Sequence, residues 1–347
     1  MINYLWRSFL LLTLFGAIFL SIIIGFAYSQ LTANVHLDKS LVWKIEKGSN
    51  LSVINHQLHV QGLVSRPELM ALYARIMGKA EIQAGEYRIE PFDTPLSLVE
   101  KFNRGDVIVS FITFPEGWTF RQWLDQLSSV AQFDKLNNET VKQVLIEIGL
   151  EDIHPEGWFF PDTYSYTASD TALDILKRAH QKMQAVLDQS WVEREENLPY
   201  KSAYEALIMA SIIERETGVA AEREEIAGVF VRRLQRNMRL QTDPTVIYGL
   251  GDAYKGNIRR THLRQATPYN TYVIKGLPPT PIAMPGRASI EAALHPAPGT
   301  SLYFVAKGDG SHQFSSTLSE HREAVEKYQI RKRAKNYHSS PKHSPPK

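Results

Sequence analysis

The feature that most constrains this chain is a run of 21 residues without a charged side chain, Ser8 to Tyr28. About 20 helical residues, rising about 1.5 Å each, cross the roughly 30 Å hydrocarbon layer of a bilayer, so the run predicts a transmembrane helix. Arg7 lies before the run and the next charge is Asp38. Because positive charge stays on the cytoplasmic side, we expect residues 1–7 in the cytoplasm and everything after the run to be exported. A cleaved signal peptide is the alternative, with A-x-S at Ala27 to Ser29 as a faint cleavage site.

Charge and cysteine content exclude several classes of function. The 347-residue chain has a net charge of +2, but six of its basic side chains lie in residues 331–347. The part between the anchor and this tail is acidic overall, which argues against nucleic-acid binding. The chain has no cysteine, so it has neither disulfides nor thiolate metal sites. The basic tail is too poor in apolar residues to fold alone, and we expect it to be disordered, with no assignable role.

Three segments after the anchor share one pattern, a short alternating strand followed by a turn and a capped amphipathic helix. They cover residues 42–58, 87–102 and 111–127, and the predicted caps are Ser49 or Asn50, Thr94 and Thr119. Such modules resemble glycan-binding repeats of the LysM type. A plain α+β packing unit would show the same pattern, so sugar binding stays open.

The remainder of the chain mixes helices, strands and loops, which predicts an α+β fold. Further helices are expected at residues 67–77, 141–148, 173–187 and 222–234. A strand at 301–306, its hairpin partner at 312–314 and a capped helix close the fold. Beyond Arg239, proline and glycine are dense and we expect loops, which in compact domains usually carry function when they are long.

The helix predicted at Ser202 to Gly218 is the best candidate for chemistry. Its apolar residues lie all around it, so it should be buried on most sides, and it delivers Glu214 and Glu216 to its C-terminal turn. At Glu216 the negative end of the helix dipole, apolar surroundings and a neighbouring acid would all raise the pKa, as a general acid requires. Arg215 would lower it. The alternative is a charged helix end that simply leaves the core.

Metal and cofactor chemistry lack their usual motifs in this sequence. There is no HExxH, no phosphate loop and no GxSxG turn, so we expect no metal and no cofactor. The scattered histidines, His295, His312 and His321, are interpreted as structural or substrate-contacting residues. Carboxylate chemistry therefore remains, and glycoside hydrolysis usually needs two such groups.

A second carboxylate would have to come from elsewhere in the chain. Glu214 and Glu216 are two residues apart and point to opposite sides of an intact helix. The candidates are Glu156 and Asp243. Aromatic side chains that could stack on sugars share loops with polar ones, which favours a cleft; they are Trp158, Tyr164, Tyr248, Tyr269 and Tyr272, beside Gln241 and Asn270.

Several motifs occur together in an order that is specific to one family. They are PEGWFFPDTY, ASIIERET, MRLQTDPTVIYGLG, YNTY, GLPPTPIAMPG, HPAPG, YFVA and HQFSSTLSEH. In this the chain resembles the endolytic murein transglycosylases of the MltG type. The resemblance implies an inner-membrane helix at 8–28, a LysM-like periplasmic module at 29–128 and a lytic catalytic domain at 129–330.

The resemblance also implies the chemistry. Glu216, the glutamate of the Glu-Thr pair, would be the catalytic acid and base, and no second carboxylate is then needed. It would cleave the MurNAc–GlcNAc bond of nascent peptidoglycan strands, leave 1,6-anhydro-MurNAc ends and so terminate elongation. The residues expected to hold the glycan are Glu214, Gln241, Asp243, Tyr248, Asn270 and Tyr272.

Two alternatives to a lyase stay open. A muramidase would cleave the same bond with water, and Asp243 is the best second carboxylate for it. A non-catalytic scaffold would bind peptidoglycan and cell-wall synthases, the penicillin-binding proteins. Those synthases are also possible partners of the enzyme.

Overall fold

A computed structural model describes residues 2–133 and 138–331. The chain divides into two compact units. The first comprises residues 1–111 and 165–170, and the second begins at Ile112 and contains the remainder. The predicted domain boundary after residue 128 remains a prediction. The predicted disordered tail lies, from residue 332 onward, outside the described residues.

The first unit begins with a long apolar helix, α1 (Ile2–Thr32). Its stretch Trp6–Thr32 has a mean hydropathy of 2.6 and is long and apolar enough to cross a membrane. The predicted transmembrane segment is therefore helical throughout.

The rest of the first unit is a small α+β layer. Strands β1 (Leu41–Ile45) and β2 (Gly85–Ile89) pair antiparallel, with Leu41 opposite Ile89. Their inner faces and three helices, α2 (Leu51–Val60), α3 (Pro67–Ile76) and α4 (Pro95–Arg104), bury one core. The predicted caps are confirmed: the side chains of Asn50 and Thr94 accept hydrogen bonds from the first turns of α2 and α4. Whether this unit is LysM-like stays a prediction.

The second unit has more helix than strand. Its elements, of which β3 and β4 extend into residues of the first unit, are β3 (Ser110–Thr113), α5 (Phe120–Ser128), α6 (Asn138–Glu147), β4 (Thr163–Tyr166), α7 (Ala172–Val192), α8 (Ala203–Glu216), α9 (Arg223–Gln235), α10 (Asp243–Leu250), α11 (Arg260–Arg264), α12 (Arg287–Leu294), β5 (Tyr303–Ala306), β6 (His312–Ser315) and α13 (Leu318–Val325). β3 pairs with β4 and β5 with β6, the latter pair antiparallel. The predicted cap Thr119 is again confirmed, here for α5.

Helix α8 is the centre of this unit. The eight residues Ala206 to Ile213 are all buried, because α7, α9, α10 and α12 surround the helix. This confirms the burial predicted from apolar residues on every side. Ser211 fits in that core because its hydroxyl donates to the carbonyl of Ile208 and accepts from the N–H of Ile282.

The segment beyond Arg239 differs from the prediction. The sequence predicts loops there, yet the segment contains α10, α11 and α12. Pro244 lies in the first turn of α10, where a proline breaks no hydrogen bond of the helix. A proline that suggests a loop in the sequence therefore stands at the start of a helix.

Candidate active site

A cleft of about 820 Å³ opens in the second unit, a size typical of small-molecule and glycan sites. Its lining includes Glu216 at the end of α8 together with Gln241, Asp243 and Tyr272. Residues of the β5–β6 hairpin and of α13 also line it. Four of the predicted site residues are therefore brought together.

Glu216 is the last residue of α8, which ends because Thr217 is extended rather than because Gly218 is left-handed. Its Oε2 accepts a hydrogen bond of 2.7 Å from the Thr242 hydroxyl. The pKa of Glu216 is raised to about 7, chiefly by burial and also by the charge of Asp243, while the Thr242 hydrogen bond and the charge of Arg233 oppose the shift. Protonated and ionised forms are then similarly populated near neutral pH, so the group can both give and take a proton.

Thr242 is itself held firmly. Its N–H donates to the Thr271 hydroxyl oxygen over 3.1 Å, and its carbonyl accepts from the Thr245 hydroxyl over 2.8 Å. All three threonines are buried. The chain enters this cluster through Gln241, whose φ of 54° is left-handed, a conformation uncommon for a residue other than glycine.

Asp243 and Tyr272 form a hydrogen-bonded pair beside Glu216. The Tyr272 hydroxyl donates to Asp243 Oδ1 over 2.7 Å. Burial and then the charge of Asp243 raise the pKa of Tyr272, so the phenol stays protonated and remains a donor. The pair presents one negative charge to the cleft, close enough to act on Glu216.

Arg233 of α9 is the cation that opposes the raised pKa of Glu216, which corrects the expectation that Arg215 would do so. Arg233 is buried and its Nε donates to the Leu302 carbonyl over 2.6 Å. The Arg215 guanidinium instead donates to the Gly117 carbonyl over 3.0 Å. Arg215 is next to Glu216 in the sequence, but tertiary packing makes Arg233 the arginine whose charge acts on Glu216.

The YceG-like family model matches residues 43–327, which include Glu216, Gln241, Asp243 and Tyr272. This chain belongs to the YceG-like family. A protein of Bacillus subtilis (strain 168) named endolytic murein transglycosylase is 34% identical over 303 residues, covering 82% of this chain and 83% of that protein. The family resemblance inferred from the motifs is confirmed.

Two further relatives extend the comparison. A Streptococcus pneumoniae protein (serotype 2, strain D39 / NCTC 7466) of the same name is 26% identical over 343 residues. That alignment covers 86% of this chain but only 60% of the pneumococcal protein. A crystal structure of a yceG-like protein from Listeria monocytogenes matches with a TM-score of 0.52 and 29% identity, covering 82% of this chain and 99% of that one.

Three other predicted site residues of this YceG-like protein bond within the fold and do not line the cleft. Glu214 Oε2 accepts from the Gly286 N–H over 3.1 Å and the Ser289 hydroxyl over 2.7 Å, so it caps the start of α12. Asn270 is buried, and its side-chain amide donates to the carbonyls of His262 and Gln265. Tyr248 donates to Glu156. Their contacts with substrate stay predictions.

Glu156, a candidate for the second carboxylate, lies away from the cleft lining. It is almost fully buried, and it accepts the Phe120 N–H over 2.8 Å and the Tyr248 hydroxyl over 3.0 Å. Burial raises the pKa of Glu156 to about 7, although both hydrogen bonds and Arg215 lower it. It joins the start of α5 to α10.

Two residues that act on Glu216, Thr242 and Arg233, are not among those predicted from the sequence. Thr242 stands between Gln241 and Asp243, which are both predicted site residues. Its position between them is the signal that could have identified it. Arg233 carried none, because a charged residue in an amphipathic helix is normally solvated. Among the residues that the structure describes, no group of three or more His, Asp or Glu side chains could hold a metal ion.

Proposed function

We propose that this chain is a membrane-anchored endolytic murein transglycosylase that cleaves the MurNAc–GlcNAc bond of nascent glycan strands and leaves 1,6-anhydro-MurNAc ends. The observation that carries the proposal is Glu216, an acid with a pKa of about 7 on the wall of a cleft of about 820 Å³. Family membership and the names of the relatives supply the substrate class.

One carboxyl group is enough for this reaction. Protonated Glu216 gives its proton to the glycosidic oxygen, and the bond from that oxygen to C1 of MurNAc breaks. The C6 hydroxyl oxygen of the same sugar then bonds to C1, and its proton passes to the ionised Glu216 carboxylate. The acid is regenerated and no water is consumed, so a group that titrates near neutral pH suits both steps.

The neighbours of Glu216 prepare it for those steps. Thr242 fixes the orientation of the carboxyl group through its hydroxyl. Besides burial, the charge of Asp243 helps to raise the pKa of Glu216. Asp243 also supplies negative charge beside the developing oxocarbenium ion, and Tyr272 orients Asp243 through a hydrogen bond. Electrostatic stabilisation of this kind is usually a large contribution to catalysis.

One observation favours a second candidate, a muramidase that uses water. Asp243 lines the same cleft as Glu216 and acts on its pKa, so two carboxyl groups share the site. In that reaction Asp243 would activate water or stabilise the cation at C1. The products distinguish the two, since hydrolysis gives reducing ends.

The proposed location follows from α1. Arg7 precedes the apolar stretch, so we place the N-terminus in the cytoplasm and the two units in the periplasm, anchored to the inner membrane. Cell-wall synthases are the proposed protein partners, since they produce the nascent strands.

The test uses the full-length protein in detergent micelles and uncrosslinked glycan strands. Wild type is compared with Glu216→Gln and with Glu224→Gln, which changes an exposed glutamate of α9 as a matched control. Mass spectrometry should find ends lacking one water from wild type and Glu224→Gln, and none from Glu216→Gln. Reducing ends would establish the muramidase, and absence of cleavage by wild type would favour the scaffold.

A further inference from the structure

The cleft that contains Glu216 is also lined by a histidine held by a carboxylate. His312 of β6 lines the cleft, and its side chain is only 4% exposed. Glu222 binds it twice: Oε1 accepts the backbone N–H of His312 and Oε2 lies 2.8 Å from ring Nδ1. Glu222 ends a single 3₁₀ turn, Ala220–Glu222, that follows α8. The segment just after the catalytic helix therefore fixes this ring.

The carboxylate determines which ring nitrogen carries the hydrogen. An ionised carboxylate only accepts hydrogen bonds, so Nδ1 of His312 carries the hydrogen and donates it. No other residue in the described part of the chain hydrogen-bonds Nε2. In the neutral ring, Nε2 is then a hydrogen-bond acceptor with a fixed orientation on the cleft wall.

The surroundings of this acceptor are apolar. The Phe304 ring meets the His312 ring edge to face at 5.3 Å, and Phe304, Val305 and Ala306 line the same wall. A ligand group that fits combines a hydrogen-bond donor with an apolar part, whereas a sugar hydroxyl supplies only the donor. The acetamido group of an N-acetylated sugar has both. A carboxylate of a peptide stem would not fit, because it has no hydrogen to donate to Nε2 and would be repelled by the nearby carboxylate of Glu222.

The hairpin and the catalytic acid belong to one continuous site. Arg233, whose charge lowers the pKa of Glu216, also lies over the Tyr303 ring at 5.1 Å. Tyr303 is the first residue of β5 and itself lines the cleft. A glycan strand bound at Glu216 can thus extend toward His312.

We propose that His312 is a substrate-binding residue whose Nε2 accepts a hydrogen bond from the acetamido N–H of a glycan sugar, with Glu222 as the residue that positions it. This deepens the proposed function and rests on it for the identity of the substrate. Binding to tetra-N-acetylchitotetraose, which has acetamido groups and no peptide stems, tests the contact. Cellotetraose, which has hydroxyls in their place, is the matched ligand.

The variants are made in the full-length Glu216→Gln protein, so that binding is measured without turnover. His312→Phe keeps an aromatic ring against Phe304 and removes the acceptor, whereas His312→Gln restores an acceptor oxygen. His295→Phe, at the end of α12 and outside the cleft lining, is the control. Thermal unfolding of each variant establishes that it is folded.

We expect His312→Phe to lower the affinity for tetra-N-acetylchitotetraose by about tenfold, as loss of one hydrogen bond does, and to leave cellotetraose binding unchanged. His312→Gln should recover part of the loss. On cleavable strands, in the otherwise wild-type protein, His312→Phe should raise KM more than it lowers kcat.

Unchanged binding of the acetylated ligand by His312→Phe would overturn the proposal, and so would an equal loss for both ligands. Failure of the proposed lyase activity would be recognised separately, by the absence of anhydro ends from wild type. The ligand comparison in the inactive protein does not depend on which bond is cleaved or how.

Discussion

Two glutamates of the second unit, Glu156 and Glu216, have the same raised pKa of about 7 and differ in their surroundings. Glu156 is enclosed by hydrogen bonds that join α5 to α10. Glu216 lines the cleft and has the charge of Asp243 beside it. A raised pKa alone therefore does not identify a catalytic acid. Access to a cleft distinguishes the two.

The largest expected effect is a difference in glycan cleavage between variants of Glu216 and of Glu156. Glu216→Gln should lower kcat on glycan strands by about 10³-fold, within the range known for loss of a general acid and base. Glu156→Gln should keep most of the activity of the folded protein, because residue 156 is not in the cleft. A loss of similar size in both variants would show that Glu156 takes part in the reaction.

The second prediction concerns stability and pH. The pKa of Glu156 is about 7 in the folded chain against an ordinary value of 4.5, so between these values the folded state holds more protons. The contribution of Glu156 to stability is fully present below pH 4.5 and is lost as pH rises through 7. The free energy of unfolding falls by about 3 kcal/mol over this range. Glu156→Gln should remove this part of the pH dependence in chemical denaturation.

Denaturation curves across that pH window decide the point. Glu216 also has a raised pKa, so its titration lowers the free energy of unfolding with rising pH in the same way. The double variant Glu156→Gln/Glu216→Gln lacks both titrations and is therefore the reference. If Glu156→Gln loses stability with rising pH as steeply as wild type, then Glu156 is ionised in the folded chain.

A smaller effect is expected at the hydroxyl that orients the acid. Thr242→Val keeps the shape of the side chain and removes the donor to Glu216, so kcat/KM should fall about tenfold. Because that hydrogen bond lowers the pKa of Glu216, the fall of kcat/KM at high pH should move to higher pH. Thr242→Ser should behave like wild type in a pH–rate profile. An unmoved profile in Thr242→Val would contradict the role.

The smallest effect concerns Glu214, two residues before Glu216 on α8. Ser289→Ala removes one of the two donors to Glu214 at the start of α12, which should lower the free energy of unfolding by about 1 kcal/mol. The pH profile of cleavage should not move. Ser319→Ala, an exposed position on α13, is the control for the same chemical change. A shift of the profile would mean that Glu214 acts on the catalytic acid.

Features that depend on neighbouring residues were predicted correctly from the sequence. Contacts between residues far apart in the chain were not. The caps Asn50, Thr94 and Thr119 follow from residues three positions apart, and the burial of α8 follows from its own apolar residues. The contact of Thr242 with Glu216 joins residues 26 positions apart, and the capping of α12 by Glu214 joins positions 72 apart. Such pairs are set by packing, which one sequence does not display.

Gln241 has a consequence for attempts to stabilise this protein. Its backbone is left-handed, so glycine would be more comfortable there and a stability-driven redesign would select it. The side chain that such a redesign discards is one of those exposed in the cleft. Thermostable variants chosen without a functional screen would thus gain stability and lose a side chain that is proposed to bind the glycan.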